Sequence, residues 1–128
     1  MVIRLAIILS LLGFFLSACD PVRTIQVQTK KEDAQILIYL KSTEGKHVGL
    51  YSKKNPIQVS VNTNTQFSQH FSIGKWDAAS IRYLLVNQID SIVIHKKGKQ
   101  QSYTTAAALQ KYLEANRKTF SQHVIQLK

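Results

Sequence analysis

The sequence predicts an α+β domain: a mostly antiparallel sheet of about five to seven strands, with two helices in the C-terminal half packed on one face. Three observations predict it. Polar and apolar residues alternate through most of residues 24–73, which is the period of a half-buried strand. Two later stretches place apolar residues at helical spacing: Ile81, Leu84, Leu85 and Ile89, then Ala106, Leu109, Tyr112 and Leu113. The chain has 128 residues, 45% of them hydrophobic, enough for one core and little more.

The elements follow in order. Residues 24–28 alternate and put Ile25 and Val27 on one face. Residues 30–33 form a polar turn. Residues 35–40 set Ile36, Ile38 and Leu40 on one face, with Leu37 and Tyr39 on the other. A turn at 42–46 leads to a weaker strand at 47–51, and Asn55-Pro56 punctuates the chain. Residues 57–61 alternate cleanly and end in a turn at 62–64. The strand at 66–73 points Phe67, Phe71 and Ile73 inward. Gln69 interrupts that face, as a bulge or an edge position would. Asp77 suits the N-cap of the first helix. Residues 91–95 read as a short buried strand, and 100–103 pair back across a turn at 96–99. Thr104 or Thr105 caps the second helix, whose C-terminal end suits Arg117 and Lys118. Residues 124–127 close the chain as a strand.

Residues 1–18 are a different kind of segment. Arg4 and the starting amine precede an apolar run at 5–16. As a helix that run spans about 18 Å, well short of the roughly 30 Å of a bilayer core. It matches the apolar region of a secretory signal peptide. The run ends in Leu16-Ser17-Ala18-Cys19, which resembles the lipobox of bacterial lipoproteins. The resemblance covers about the first 19 residues. It implies a diacylglyceryl thioether on Cys19, cleavage between Ala18 and Cys19, and often an acylated new amine. Cys19 is the only cysteine of the chain, as suits export to an oxidising compartment. Two or more acyl chains anchor stably where one does not. Asp20 resembles the second-position aspartate that retains enterobacterial lipoproteins in the inner membrane. The expected organisation is therefore a removed signal peptide at 1–18, a lipidated tether at 19–22 and one domain at 23–128, facing the periplasm.

Chemistry-bearing motifs are sparse. His47, His70, His95 and His123 lie far apart, without the close pair that zinc sites draw from one stretch. No Gly-x-Ser-x-Gly elbow or Gly-rich phosphate loop occurs. The few acids suggest turns and a cap rather than a carboxylate pair across a cleft. The expectation is no catalytic residue, no cofactor and no metal site. Trp76 stands beside Gly74 at a strand-to-helix junction. It is either an exposed aromatic anchor for a partner or a core residue beneath the first helix.

Seventeen Lys and Arg against seven Asp and Glu give a net charge of +10, and cleavage removes only Arg4 from that balance. An exported, lipidated chain rarely meets nucleic acid, and no recognition motif for it occurs. The membrane, an acidic cell-wall polymer and an acidic envelope protein remain as partners. Lysine doublets fall at three apparent turns: Lys30-Lys31, Lys53-Lys54 and Lys96-Lys97. In an up-and-down meander the first two share the end far from residue 23, provided 47–51 is a strand. Lys30, Lys31, Lys53, Lys54 and Trp76 are thus the candidate partner face. The expected function is that of a lipid-anchored, non-enzymatic accessory or interaction module. The alternative is an inhibitor or immunity-type lipoprotein that binds a toxin, a phage factor or an enzyme.

Overall fold

A computed structural model describes residues 21–28, 33–41, 54–62, 66–119 and 121–128. The segment carrying Ala18, Cys19 and Asp20, and the expected strand at 47–51, lie outside the described residues. Among the described residues, the strands are β1 (Val22–Gln28), β2 (Ala34–Leu40), β3 (Ile57–Val61), β4 (Gln66–Ile73), β5 (Ile89–Lys96), β6 (Lys99–Tyr103) and β7 (Val124–Leu127). Helix α1 (Ala78–Ile81) runs into a π-helical turn (Arg82–Val86), and α2 (Ala106–Ala115) follows β6. The architecture is α+β, as the sequence predicts.

The strands divide between two sheets. One has the order β3-β2-β5-β6 and is antiparallel throughout; the other has the order β4-β1-β7, with β7 parallel to β1. This replaces the expected meander. Strand β1 does not pair with β2; its neighbours come from the middle and the far end of the chain. The period-2 pattern of β1 is satisfied because Ile25 and Val27 join the common core from the second sheet. That core also takes Ile36 and Ile38 from β2, Ile92 and Ile94 from β5, and Ile125 and Leu127 from β7. Both helices close over it through Ile81, Leu85, Leu109 and Leu113. Burying each such side chain contributes about 1.5–3 kcal/mol.

Local chemistry explains the boundaries. Asp77 caps α1: its Oδ1 accepts from Ser80 N at 2.7 Å, while Asp77 N donates to Ser80 Oγ at 2.9 Å. This reciprocal pair satisfies two orphan donors of the first turn. Thr105 caps α2, accepting from Ala108 N at 3.2 Å. The π-helical turn is closed by Asn87 N donating to Arg82 O at 2.9 Å. It buries the consecutive residues Leu84, Leu85 and Val86, more than the stripe of an α-helix turns inward. Ile89, expected on the helix, instead opens β5. Beyond β2, Asn55 acts in place of a strand: its amide accepts from Leu40 N at 2.9 Å and donates to Leu40 O at 2.8 Å.

Strand β4 departs from the expected pattern at one residue. Phe67 and Phe71 pack on the core, but Ile73 is 63% exposed. The pairing shifts from Thr24 opposite His70 to Val22 opposite Ile73. The extra residue on β4 is a β-bulge, and it carries Ile73 to the face opposite Phe67.

Candidate functional site

The two ends of the β1–β7 pair hold different side chains. At the start of β1, Arg23 spans to the chain leaving β4. Its Nε donates to Lys75 O at 2.8 Å, and its Nη1 donates to Ile73 O at 2.8 Å and Ser72 Oγ at 2.9 Å. The same guanidinium lies 5.8 Å from the centre of the Trp76 ring, a cation–π distance. Gly74 turns the chain here with φ +134°. A Cβ on it would come within 2.7 Å of the Arg23 Nη2.

Trp76 is 1% exposed. This corrects its place in the candidate partner face: it is a core residue, not a surface anchor. Its indole Nε1 donates to Thr24 O at 3.2 Å, its ring meets Phe71 edge-on at 5.3 Å, and its carbonyl accepts from Arg117 Nη1 at 2.7 Å. Burial of the large ring and satisfaction of its one polar group explain the placement. Beside it, Val22 is 41% exposed and Ile73 63% exposed, two of the three large apolar side chains so exposed among the described residues.

At the other end, Val27 of β1 pairs with Leu127 of β7, and the next residue, Lys128, reaches the β5–β6 hairpin. Lys97 (φ +50°) and Gly98 (φ +69°) form its two-residue turn, with both residues left-handed as a type I′ turn requires. Lys96 and Lys99 are directly opposed across the strands. Like charges in that relation are destabilising. Lys128, carried in by β7, lines a groove of about 630 Å³ together with Lys96, Lys97 and Lys99. A neighbouring depression of about 390 Å³ is lined by Lys96 and Lys97, and by Asp33, the one acidic side chain among the described residues of the two linings. The Tyr112 hydroxyl donates to Lys128 O at 3.4 Å; its ring stacks on Tyr103 at 4.0 Å, and burial pushes the phenol above its ordinary range.

Of the lysines expected on the partner face, the described residues place Lys54 alone. Lys54 is exposed next to Asn55, at the Leu40 end of β2. Lys96 pairs with Ala34 at the opposite end of that strand. Lys30, Lys31 and Lys53 lie outside the described residues. Among the described residues, the lysines brought together in one lining are 96, 97, 99 and 128. The doublet and Lys99 are visible in the sequence as a charged turn. Lys128 joins them only because β7 lies parallel to β1, which no local pattern signals.

A second groove, of about 480 Å³, runs between the π-helical turn and α2. Gln110 reaches across it, donating to Ala78 O at 3.0 Å and to Glu114 Oε1, while its own Oε1 is buried without a partner among the described residues. Among the described residues of this groove's lining, Glu114 is the only carboxylate and there is no Ser, Cys or His. His70 Nδ1 lies 3.2 Å from Thr24 Oγ1 on the three-stranded sheet, while His95 is on β5 and His123 precedes β7. Among the described residues, no three His, Cys, Asp or Glu side chains converge where they could hold a metal ion. No helix among them is long and apolar enough to cross a membrane. No protein family matches the chain, and neither does any curated protein or solved structure.

Proposed function

We propose that the protein is a lipid-anchored component of a bacterial envelope. Its domain works as a non-enzymatic docking module that presents the Lys96, Lys97, Lys99 and Lys128 end to an acidic partner, either an envelope protein or a cell-wall polymer. One observation carries the reading: Lys96 faces Lys99 across a hairpin whose turn holds Lys97 in a left-handed conformation. Taken alone, a like-charge pair and a lysine at positive φ are each unfavourable, and a sequence that keeps such choices does so where a binding surface needs them. The charge also stands well clear of the proposed anchor. Cys19 precedes Val22 by three residues, and the six steps from Val22 to Gln28 rise about 20 Å. With a Debye length of about 8 Å, lysines at that distance act on a partner and not on the bilayer.

In-cell photo-crosslinking from Gln100, which lines the lysine groove, tests the reading. An acidic partner should be captured, and its recovery should fall with added salt and with Lys97→Glu and Lys99→Glu. Capture that is indifferent to both changes overturns it. A toxin, phage factor or enzyme as the captured species gives the inhibitor form of the same docking function. Cys19→Ser should release the exported domain from membranes; persistent membrane association removes the anchor.

A further inference from the structure

We infer that the exposed pair Val22 and Ile73 is a membrane contact, which seats the start of β1 and the end of β4 in the bilayer interface and fixes the orientation of the domain. The inference rests on the proposed lipidation of Cys19 and extends it from tethering to pose. Val22 and Ile73 are cross-strand partners, so their side chains leave the sheet side by side on one face. They are 41% and 63% exposed, and among the described residues no other large aliphatic side chain is as exposed. Ile73 reaches that face only because of the bulge in β4; regular pleating would have turned it onto the core face with Phe67.

The occupant follows from the chain length. Asp20 and Pro21 alone separate Cys19 from Val22, so a lipid on Cys19 holds the pair within about 10 Å of the acyl region. Charge lies close by in sequence: Lys75, two residues beyond Ile73, is exposed, and so is Asp77, while the Arg23 guanidinium is turned to the other face onto Trp76. Aliphatic side chains beside basic ones suit an interface of acyl chains and anionic headgroups. Two side chains are far too few for a second copy of the chain, because a stable protein interface buries about 800 Å² per partner. A bilayer needs no such area and no complementary shape. The arrangement also directs the lysine hairpin away from the membrane, since β1 runs from one end to the other.

The test uses the full lipidated chain in vesicles of phosphatidylethanolamine and phosphatidylglycerol. Lipidation leaves no other free thiol, so Ile73→Cys, Val22→Cys and Lys97→Cys can each carry a single fluorophore. Nitroxide-labelled lipid, with the nitroxide just below the headgroup, should quench the probes at 73 and 22 several-fold more than the probe at 97. Ile73 is exposed, so its replacement leaves the core intact, and Val22→Cys provides a second reading of the same contact. Equal quenching at 73 and 97, on chains whose Cys19 lipid is confirmed by mass, overturns the seated pose while leaving the anchor in place. Absence of the lipid from Cys19 by mass overturns the anchor, and the pose with it.

Discussion

Where β1 begins, one guanidinium serves two carbonyls, a hydroxyl and an indole face, and the glycine beside it leaves room for nothing more. Where β1 ends, a left-handed lysine sits in a tight turn between two lysines that oppose each other. The first end gives two backbone carbonyls and a hydroxyl a charged donor. The second accepts repulsion and backbone strain at the surface. The difference separates a joint that stabilises the fold from a surface that is held in place by it. Substitutions at the two ends should therefore move stability in opposite directions.

The largest effect belongs to Trp76. Removing its ring takes away the partner of Phe71 and of Arg23, and opens a cavity at the joint. Trp76→Ala should cost about 3–5 kcal/mol in urea unfolding. A cost below about 1 kcal/mol would mean that the joint is not the stabilising end.

Gly74→Ala comes next. Its φ of +134° disfavours any side chain, and the new Cβ would lie 2.7 Å from Arg23 Nη2. The expected loss is about 1–3 kcal/mol, read from thermal unfolding. Because the obstacle is one side chain, Arg23→Ala should cost less in the Gly74→Ala background than alone. Additive costs would show that backbone strain, not the guanidinium, is what excludes a side chain.

Asp77→Ala should cost about 1 kcal/mol through loss of the α1 cap. The backbone and hydroxyl of Ser80 hold the Asp77 carboxyl below its ordinary value of 3.8. A carboxyl whose folded pKa is depressed stabilises the fold above its unfolded pKa, and that stability is lost as the pH falls through the folded value. The cap contribution should be intact at about pH 5 and fade below about pH 4, with Asp77→Asn flattening that part of the curve. The carboxyl is nearly fully solvated, so the amplitude is small.

The sequence speaks clearly where local physics decides. Strand β2 was legible because Ile36, Ile38 and Leu40 alternate strictly, and the Asp77 cap because it stands just ahead of apolar helical spacing; the second cap was legible only to within Thr104 or Thr105, of which the structure uses Thr105. The partition into two sheets was not legible. Nothing in residues 22–28 distinguishes pairing with β2 from pairing with β4 and β7, since either choice buries Ile25 and Val27. Ile73 was misread because a bulge changes the phase of a strand without changing its composition. The role of Arg23 was hidden for another reason: its partners lie about fifty residues away, and a lone arginine carries no sign of which carbonyls it will meet. The lysine end was half visible. Its turn is local chemistry, but Lys128 reaches it through a parallel pairing set by the whole fold.

Lys99→Gln gives the smallest change in stability and the sharpest division between the two ends. It removes one of two like charges opposed across the β5–β6 hairpin. Such cross-strand pairs shift stability by about 0.2–1 kcal/mol, so the variant should unfold at slightly higher urea than the parent. Lys99 is exposed on an edge strand, and glutamine keeps most of its aliphatic stem, so little packing is lost to offset the gain. Partner recovery by crosslinking from Gln100 should fall in the same variant. Gain of stability with loss of capture is the signature of charge kept for binding. If Lys99→Gln lowers stability, the lysine end is a structural edge guard, and the contrast between the two ends of β1 disappears.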